Sequence, residues 1–159
     1  KAQAEIAQRT ALPVANGERM HSIWEFREMF ERGGSQYARP DLGLAGGFTS
    51  VKKIAAIAES YHSAIVTHNF LGPVLTAAAC GLDASIPNFL TQEYSLIDEE
   101  PSNAMFNTSW QRDGGYIPVP DVPGIGIDLE VEGFQSQPYE PRELMLIPMR
   151  DDGSVGYSV

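Results

Sequence analysis

Four short segments with strand character are spaced along the first part of the chain: Leu12-Pro13-Val14-Ala15, Gln36 to Arg39, Ala64-Ile65-Val66-Thr67 and Pro87 to Gln92. The first reads as a short buried strand and the other three as strand candidates, each closed by turn or polar residues. Between them, apolar residues recur at helical spacing, first as Ile23, Phe26 and Phe30, then as Val51, Ile54, Ala58 and Tyr61. Ser22 with Glu25 three residues later is a capping box, which satisfies backbone donors at a helix start. Gly33-Gly34 can end that helix in the left-handed region. Thr49 or Ser50 is the expected N-cap of the next helix, and Gly72-Pro73 opens a third, with Pro where its missing N–H costs nothing. Before the first strand, Ala4 to Gln8 suits the end of a helix.

Strand, polar residue, loop and helix therefore recur in order. The polar residues at the strand ends are Glu18, Asp41, His68 and Glu93, spaced 23, 27 and 25 residues apart. That alternation predicts successive βα units feeding a parallel sheet. In a (β/α)8 barrel the four groups would converge on one mouth, because functional side chains sit just after the C-terminal ends of different strands. An open doubly wound sheet has the same local pattern but spreads them along an edge. After Tyr94 the pattern dissolves. Ile97 to Arg112 is polar and without a clear period, and Gly114 to Asp128 is Gly- and Pro-rich and reads as an extended strap. Leu144 to Met149 is a short apolar run, followed by a turn at Asp151-Asp152-Gly153. The expected division is residues 1–96 as half of a catalytic barrel and 97–159 as its strap and tail.

The 159 residues carry a net charge of −10, with 43% hydrophobic and 20% charged residues. Such a chain is too apolar for disorder. The acidic balance excludes the basic patch that nucleic acid needs, and it disfavours anionic membrane surfaces. No run of about 18 apolar residues is present to cross a bilayer. Cys80 is the only cysteine, so no internal disulfide framework exists, and a reducing, cytoplasmic setting is expected.

Taken singly, each strand-end residue has an ordinary explanation. Glu18 after Asn16-Gly17 is a turn acid, although its position also suits an oxygen ligand for a hard cation. Asp41 after Pro40 forms turns, and His68 could be a satisfied core histidine; on adjacent strands, however, the carboxylate could orient the imidazole and raise its basicity. Glu93 could hydrogen-bond a charged intermediate, or simply pair with Arg19 or Arg39. Only the shared placement lifts the four above background. His21 and His62 are expected on helix surfaces, and Cys80, among Ala77-Ala78-Ala79, in the core. The Gly43 to Gly47 loop lacks the Lys-Ser/Thr pair of a P-loop.

Asn16-Gly17-Glu18-Arg19-Met20, Arg39-Pro40-Asp41-Leu42-Gly43-Leu44-Ala45-Gly46-Gly47, His68-Asn69-Phe70-Leu71-Gly72-Pro73, Asn88-Phe89-Leu90-Thr91-Gln92-Glu93 and Pro123-Gly124-Ile125-Gly126-Ile127-Asp128 stand in this order along the chain. Together they resemble the second half of the mandelate racemase/muconate lactonising enzyme family of the enolase superfamily. Within it, the sugar-acid dehydratases of the D-galactonate dehydratase type are the most similar branch. The sequence departs from that branch at Thr67, where Pro is frequent, and at Leu44, where a loop His is common.

The resemblance implies an α/β fold, the C-terminal half (strands 5–8) of a TIM barrel with an extended tail. It implies Mg2+ as cofactor, Glu18 as a metal ligand on the fifth strand, His68 as general base on the seventh, Asp41 on the sixth as its partner, and Glu93 on the eighth as the group stabilising the enolate. The expected reaction removes a proton α to the carboxylate of a small sugar acid and expels the β-hydroxyl, giving a 2-keto-3-deoxy acid. A racemase or epimerase, or an inactive binding module, is the alternative. A complete barrel needs roughly 250 residues, so the chain reads as a C-terminal fragment, inactive alone. Its unpaired strand edges at either side favour a homo-oligomer.

Overall fold

In this computed structural model, residues 2–95, 105–136 and 150–154 are described. The elements run α1 (Ala2–Arg9), β1 (Ala15–Asn16), α2 (Ile23–Glu31), β2 (Tyr37–Ala38), α3 (Gly47–Ser60), β3 (Ala64–Thr67), α4 (Pro73–Asp83) and β4 (Phe89–Gln92). All four strands are parallel and lie in the order β1-β2-β3-β4. Each neighbouring pair is joined through a helix, as a parallel connection requires.

Local chemistry explains most of the boundaries. Ser22 caps α2 by accepting the Glu25 N–H at 3.4 Å, while the Glu25 carboxylate reaches back to the His21 N–H at 2.9 Å. Gly72 and Pro73 start α4 as expected. Helix α3 begins earlier than the Thr49 or Ser50 cap predicted. Gly46 is its N-cap, in the left-handed region with φ 91°, and no side chain caps the helix. The loop before it is tied by the Ala45 N–H to the Asp41 carbonyl at 2.8 Å and the Gly47 N–H to the Leu42 carbonyl at 2.9 Å, so the turn delivers helical backbone sooner. Strand β1 falls later than its apolar run and is not the buried strand expected: Leu12 and Ala15 are exposed, because β1 is an edge strand whose pairing with β2 begins only at the Val14 carbonyl, which accepts the Gln36 and Tyr37 amides.

The core lies between the sheet and one layer of helices. Phe26 and Phe30 of α2, Val51, Ile54 and Ala58 of α3, and Leu82 of α4 pack over Ala38 and Ile65 of the sheet. Tyr61 follows the apolar face of α3 but ends half out, stacked on Phe30 with ring centroids 5.4 Å apart. Ile65 and Thr67 point into this layer and are fully buried, whereas Ala64 and Val66, on the opposite face, are only half-buried. Parallel sheets are normally covered on both faces; here one face has its helices and the other does not.

Beyond Tyr94 the strap carries more structure than its composition predicts. β5 (Phe106–Thr108) and β6 (Ile127–Leu129) pair as an antiparallel ribbon, and α5 (Val131–Ser136) follows. Phe106 and Phe134 meet edge to face at 6.0 Å, a contact across 28 residues that no local pattern announces. Asp151-Asp152-Gly153 does turn, with the Gly153 N–H on the Arg150 carbonyl. The apolar run Leu144–Met149 lies outside the described residues.

Candidate active site

The four strand-end residues all follow the C-terminal ends of the parallel strands. The Asn16-Gly17 turn projects Glu18. Gly17 is required there: its φ is 131°, and a methyl group in place of its hydrogen would sit 2.8 Å from Cζ of Phe26. Asp41 follows β2 and forms a backbone bridge with His68, which follows β3.

Asp41 is fully buried and uses both carboxylate oxygens. Oδ1 accepts the Leu44 N–H at 2.9 Å, folding the Gly-rich loop, and Oδ2 lies 2.8 Å from His68 Nδ1. Turn-forming acid and imidazole partner are thus the same residue. With Asp41 as acceptor, Nδ1 carries the ring proton and the Nε2 lone pair is directed away from the carboxylate. The His68 ring is buried and packs edge-on to Phe70 at 5.2 Å. This is the arrangement of an oriented base.

Glu93 arrives beside the histidine through a bulge. Ile65 pairs with Phe89 but Val66 pairs with Thr91, so Leu90 is an extra residue in β4. A one-residue shift in register exchanges the faces of a strand. It brings the Glu93 N–H onto the Thr67 carbonyl at 2.9 Å and Glu93 Oε2 to 3.7 Å from His68 Nε2. The same oxygen accepts the Asn69 N–H at 3.1 Å and Arg39 Nη2 at 2.6 Å. Arg39 also holds the Glu18 carboxylate through Nη1. All four predicted site residues therefore join one contiguous network. Arg39 and the Asn69 amide belong to it too. Arg39 was legible only as a possible counter-ion to Glu93, although it stands just past β2, two residues before Asp41.

The electrostatics elsewhere separate site from scaffold. Thr67 Oγ1 donates to Asp83 Oδ1 at 2.5 Å within the sheet–helix layer. Burial pushes the Asp83 carboxyl up to about 7, partly opposed by that hydroxyl. Burial, with Asp83 nearby, pushes the Cys80 thiol up to about 11, so it is no nucleophile. A cavity of about 520 Å³ is lined by Cys80, Asp83, Leu90, Gln92 and Ile117 among others. None of Glu18, Asp41, His68 or Glu93 lines it. His21 and His62 are exposed, as expected.

The donor set for a divalent cation is incomplete. Among the described residues no three His, Cys, Asp or Glu side chains converge on one point. Glu18, half-exposed and held by arginine, fits as one oxygen ligand and no more. No described helix is long and apolar enough to cross a membrane.

Comparison with known proteins adds a relationship to this geometry. Residues 1–133 match the enolase C-terminal domain-like family. The chain is 39% identical over 137 residues to D-galactonate dehydratase of Ralstonia pickettii, a match covering 80% of this chain and 35% of that protein. It is 33% identical over 153 residues to D-mannonate dehydratase of Xanthomonas oryzae pv. oryzicola, covering 95% of this chain and 36% of the relative. A crystal structure of a mandelate racemase/muconate lactonizing enzyme from Jannaschia sp. CCS1 superposes with a TM-score of 0.81 at 33% identity, over 91% of this chain and 36% of that one. The chain spans about a third of the length of the curated relatives it matches.

Proposed function

Since this chain belongs to the enolase C-terminal domain-like family, we propose that it forms strands 5–8 of a barrel in an acid-sugar dehydratase. The observation that carries the reading is the Asp41–His68 pair at 2.8 Å, with Nε2 on the far side of the ring facing Glu93. His68 Nε2 takes the proton α to the substrate carboxylate. The electron pair left on carbon delocalises into that carboxylate as an enediolate, then returns to expel the β-hydroxyl, which leaves as water on taking the proton held by the His68 imidazolium. Tautomerisation of the resulting enol gives the 2-keto-3-deoxy acid. Asp41 fixes the imidazole tautomer and orientation, and it faces the positive charge that develops on the ring. Glu93 stands beside the base, with Oε2 3.7 Å from His68 Nε2, and in its protonated form it donates a hydrogen bond to the enediolate. Enolase-superfamily sites combine a Lys or His base with Mg2+, whose charge stabilises the enediolate; Glu18 is the residue here that would contribute a ligand.

The half-covered sheet supports the barrel reading. Its bare face and the exposed Phe89 and Leu90 of β4 are surfaces that further strands would cover. On this reading the 159 residues alone neither turn over substrate nor bind Mg2+ tightly.

The test uses an enzyme with the complete barrel and a panel of sugar acids, D-galactonate and D-mannonate included. Release of a 2-keto acid supports dehydration. Deuterium exchange at the α-carbon without elimination would point instead to a racemase or epimerase, and neither would overturn the assignment of His68 as base.

A further inference from the structure

Arg39 touches two of the four strand-end residues, Glu18 and Glu93. Its backbone N–H is fixed on the Asn16 carbonyl at 2.9 Å, so the side chain starts from a rigid point in the sheet. One arm of the guanidinium pairs with Glu18, beyond β1, and the other reaches Glu93 Oε2 at 2.6 Å, beyond β4. The side chain is only 22% exposed, against 37% for each carboxylate. A planar fork of donors suits such a two-ended grip, whereas an ammonium is a single point charge.

We propose that Arg39 is a positioning residue: it clasps Glu18 and Glu93 across the mouth and sets the Glu93 carboxylate against His68 Nε2. The inference rests on the dehydratase reading for its consequence, and on the contacts alone for its geometry. Three carboxylates, those of Glu18, Asp41 and Glu93, gather at one end of the sheet. Without a cation between them, Glu18 and Glu93 repel across the mouth. With Arg39 in place, Glu93 Oε2 is an acceptor for the guanidinium and the Asn69 N–H together, and its approach to the His68 ring at 3.7 Å follows. Loss of the clasp frees Glu93 to rotate away. Substrate binding would change little, because Arg39 is engaged with protein carboxylates; the chemical step would suffer.

Arg39→Gln and Arg39→Lys in the complete-barrel enzyme test this, with folding checked by near-ultraviolet circular dichroism. Two readouts are taken: hydrogen exchange of the Asn69 amide by NMR, and kcat and KM for D-galactonate. The expected result for Arg39→Gln is Asn69 exchange at least tenfold faster, kcat down tenfold or more and KM within threefold of the parent. Arg39→Lys should restore less than half of the lost kcat, since its charge is kept and its fork is lost. Asn69 exchange within twofold of the parent in a folded Arg39→Gln enzyme would overturn the clasp. A parent without activity on any sugar acid would sink the dehydratase reading, and the Asn69 measurement would still decide the geometry.

Discussion

Asp41 and His68 are paired through main chain and side chain at once. The His68 N–H donates to the Pro40 carbonyl at 3.0 Å, the two residues form a backbone bridge, and their side chains meet at 2.8 Å. The imidazole is therefore oriented by the sheet itself. In a complete-barrel enzyme, His68→Asn should lower dehydration by about 10²–10⁴-fold, the usual cost of losing a positioned base. Exchange of the substrate α-proton with deuterium should fall in parallel. Unchanged exchange would remove His68 from the reaction.

Asp41→Asn tests the other half of the pair. An amide at that position can still accept the Leu44 N–H, so the Gly-rich loop should keep its fold. Its NH2 group, however, can donate to Nδ1 and move the ring proton to Nε2, where it blocks the lone pair. Turnover should drop about 10-fold or more, less than for His68→Asn, with the melting temperature nearly unchanged. A large fall in melting temperature would mean that the turn, not the base, depends on the charge.

Glu18→Gln in the same enzyme should weaken Mg2+ binding, measured by calorimetry, and excess metal should recover part of the activity. A carboxamide still offers an oxygen but not the charge that a hard cation favours. Metal affinity equal to that of the parent would leave Glu18 as a turn acid paired with Arg39.

Asp83 predicts a pH dependence of stability. Its carboxyl is pushed up to about 7 from an ordinary 3.8, so the folded chain keeps a proton that the unfolded chain releases between these values. The folded state therefore loses stability as pH rises from about 4 to 7, by about 1 kcal/mol per pH unit, and the loss levels off above 7. Asp83→Asn removes this slope. Urea unfolding at pH 5 and pH 8 should show the variant gaining more on the parent at pH 8 than at pH 5; an equal difference at both would contradict the burial of the charged form.

Gly17→Ala should cost about 2–3 kcal/mol, because the added methyl group strikes the Phe26 ring and the backbone there is left-handed. Thermal unfolding beside Ser22→Ala, expected to cost about 1 kcal/mol through its lost cap, sets the scale. A smaller effect at Gly17 than at Ser22 would show that the turn relaxes freely.

Short-range chemistry is what the sequence determines by itself. The Ser22 cap, the Gly72-Pro73 helix start, the Ala64–Thr67 strand and the alternation that makes the sheet parallel all depend on residues within a few positions of one another. The placement of Glu18, Asp41, His68 and Glu93 at strand ends follows from that alternation. Tertiary structure decided the rest. The early start of α3 came from a loop tied to Asp41, and the β5–β6 ribbon came from pairing across some twenty residues of unpatterned strap. Most of all, the Leu90 bulge chose which face Glu93 occupies, and Arg39 then joined it to Glu18. Register between strands is settled by partners distant in sequence, whereas periodicity reports only one strand at a time. The chain thus spells out which residues can meet, and the packing of four strands fixes which of them do.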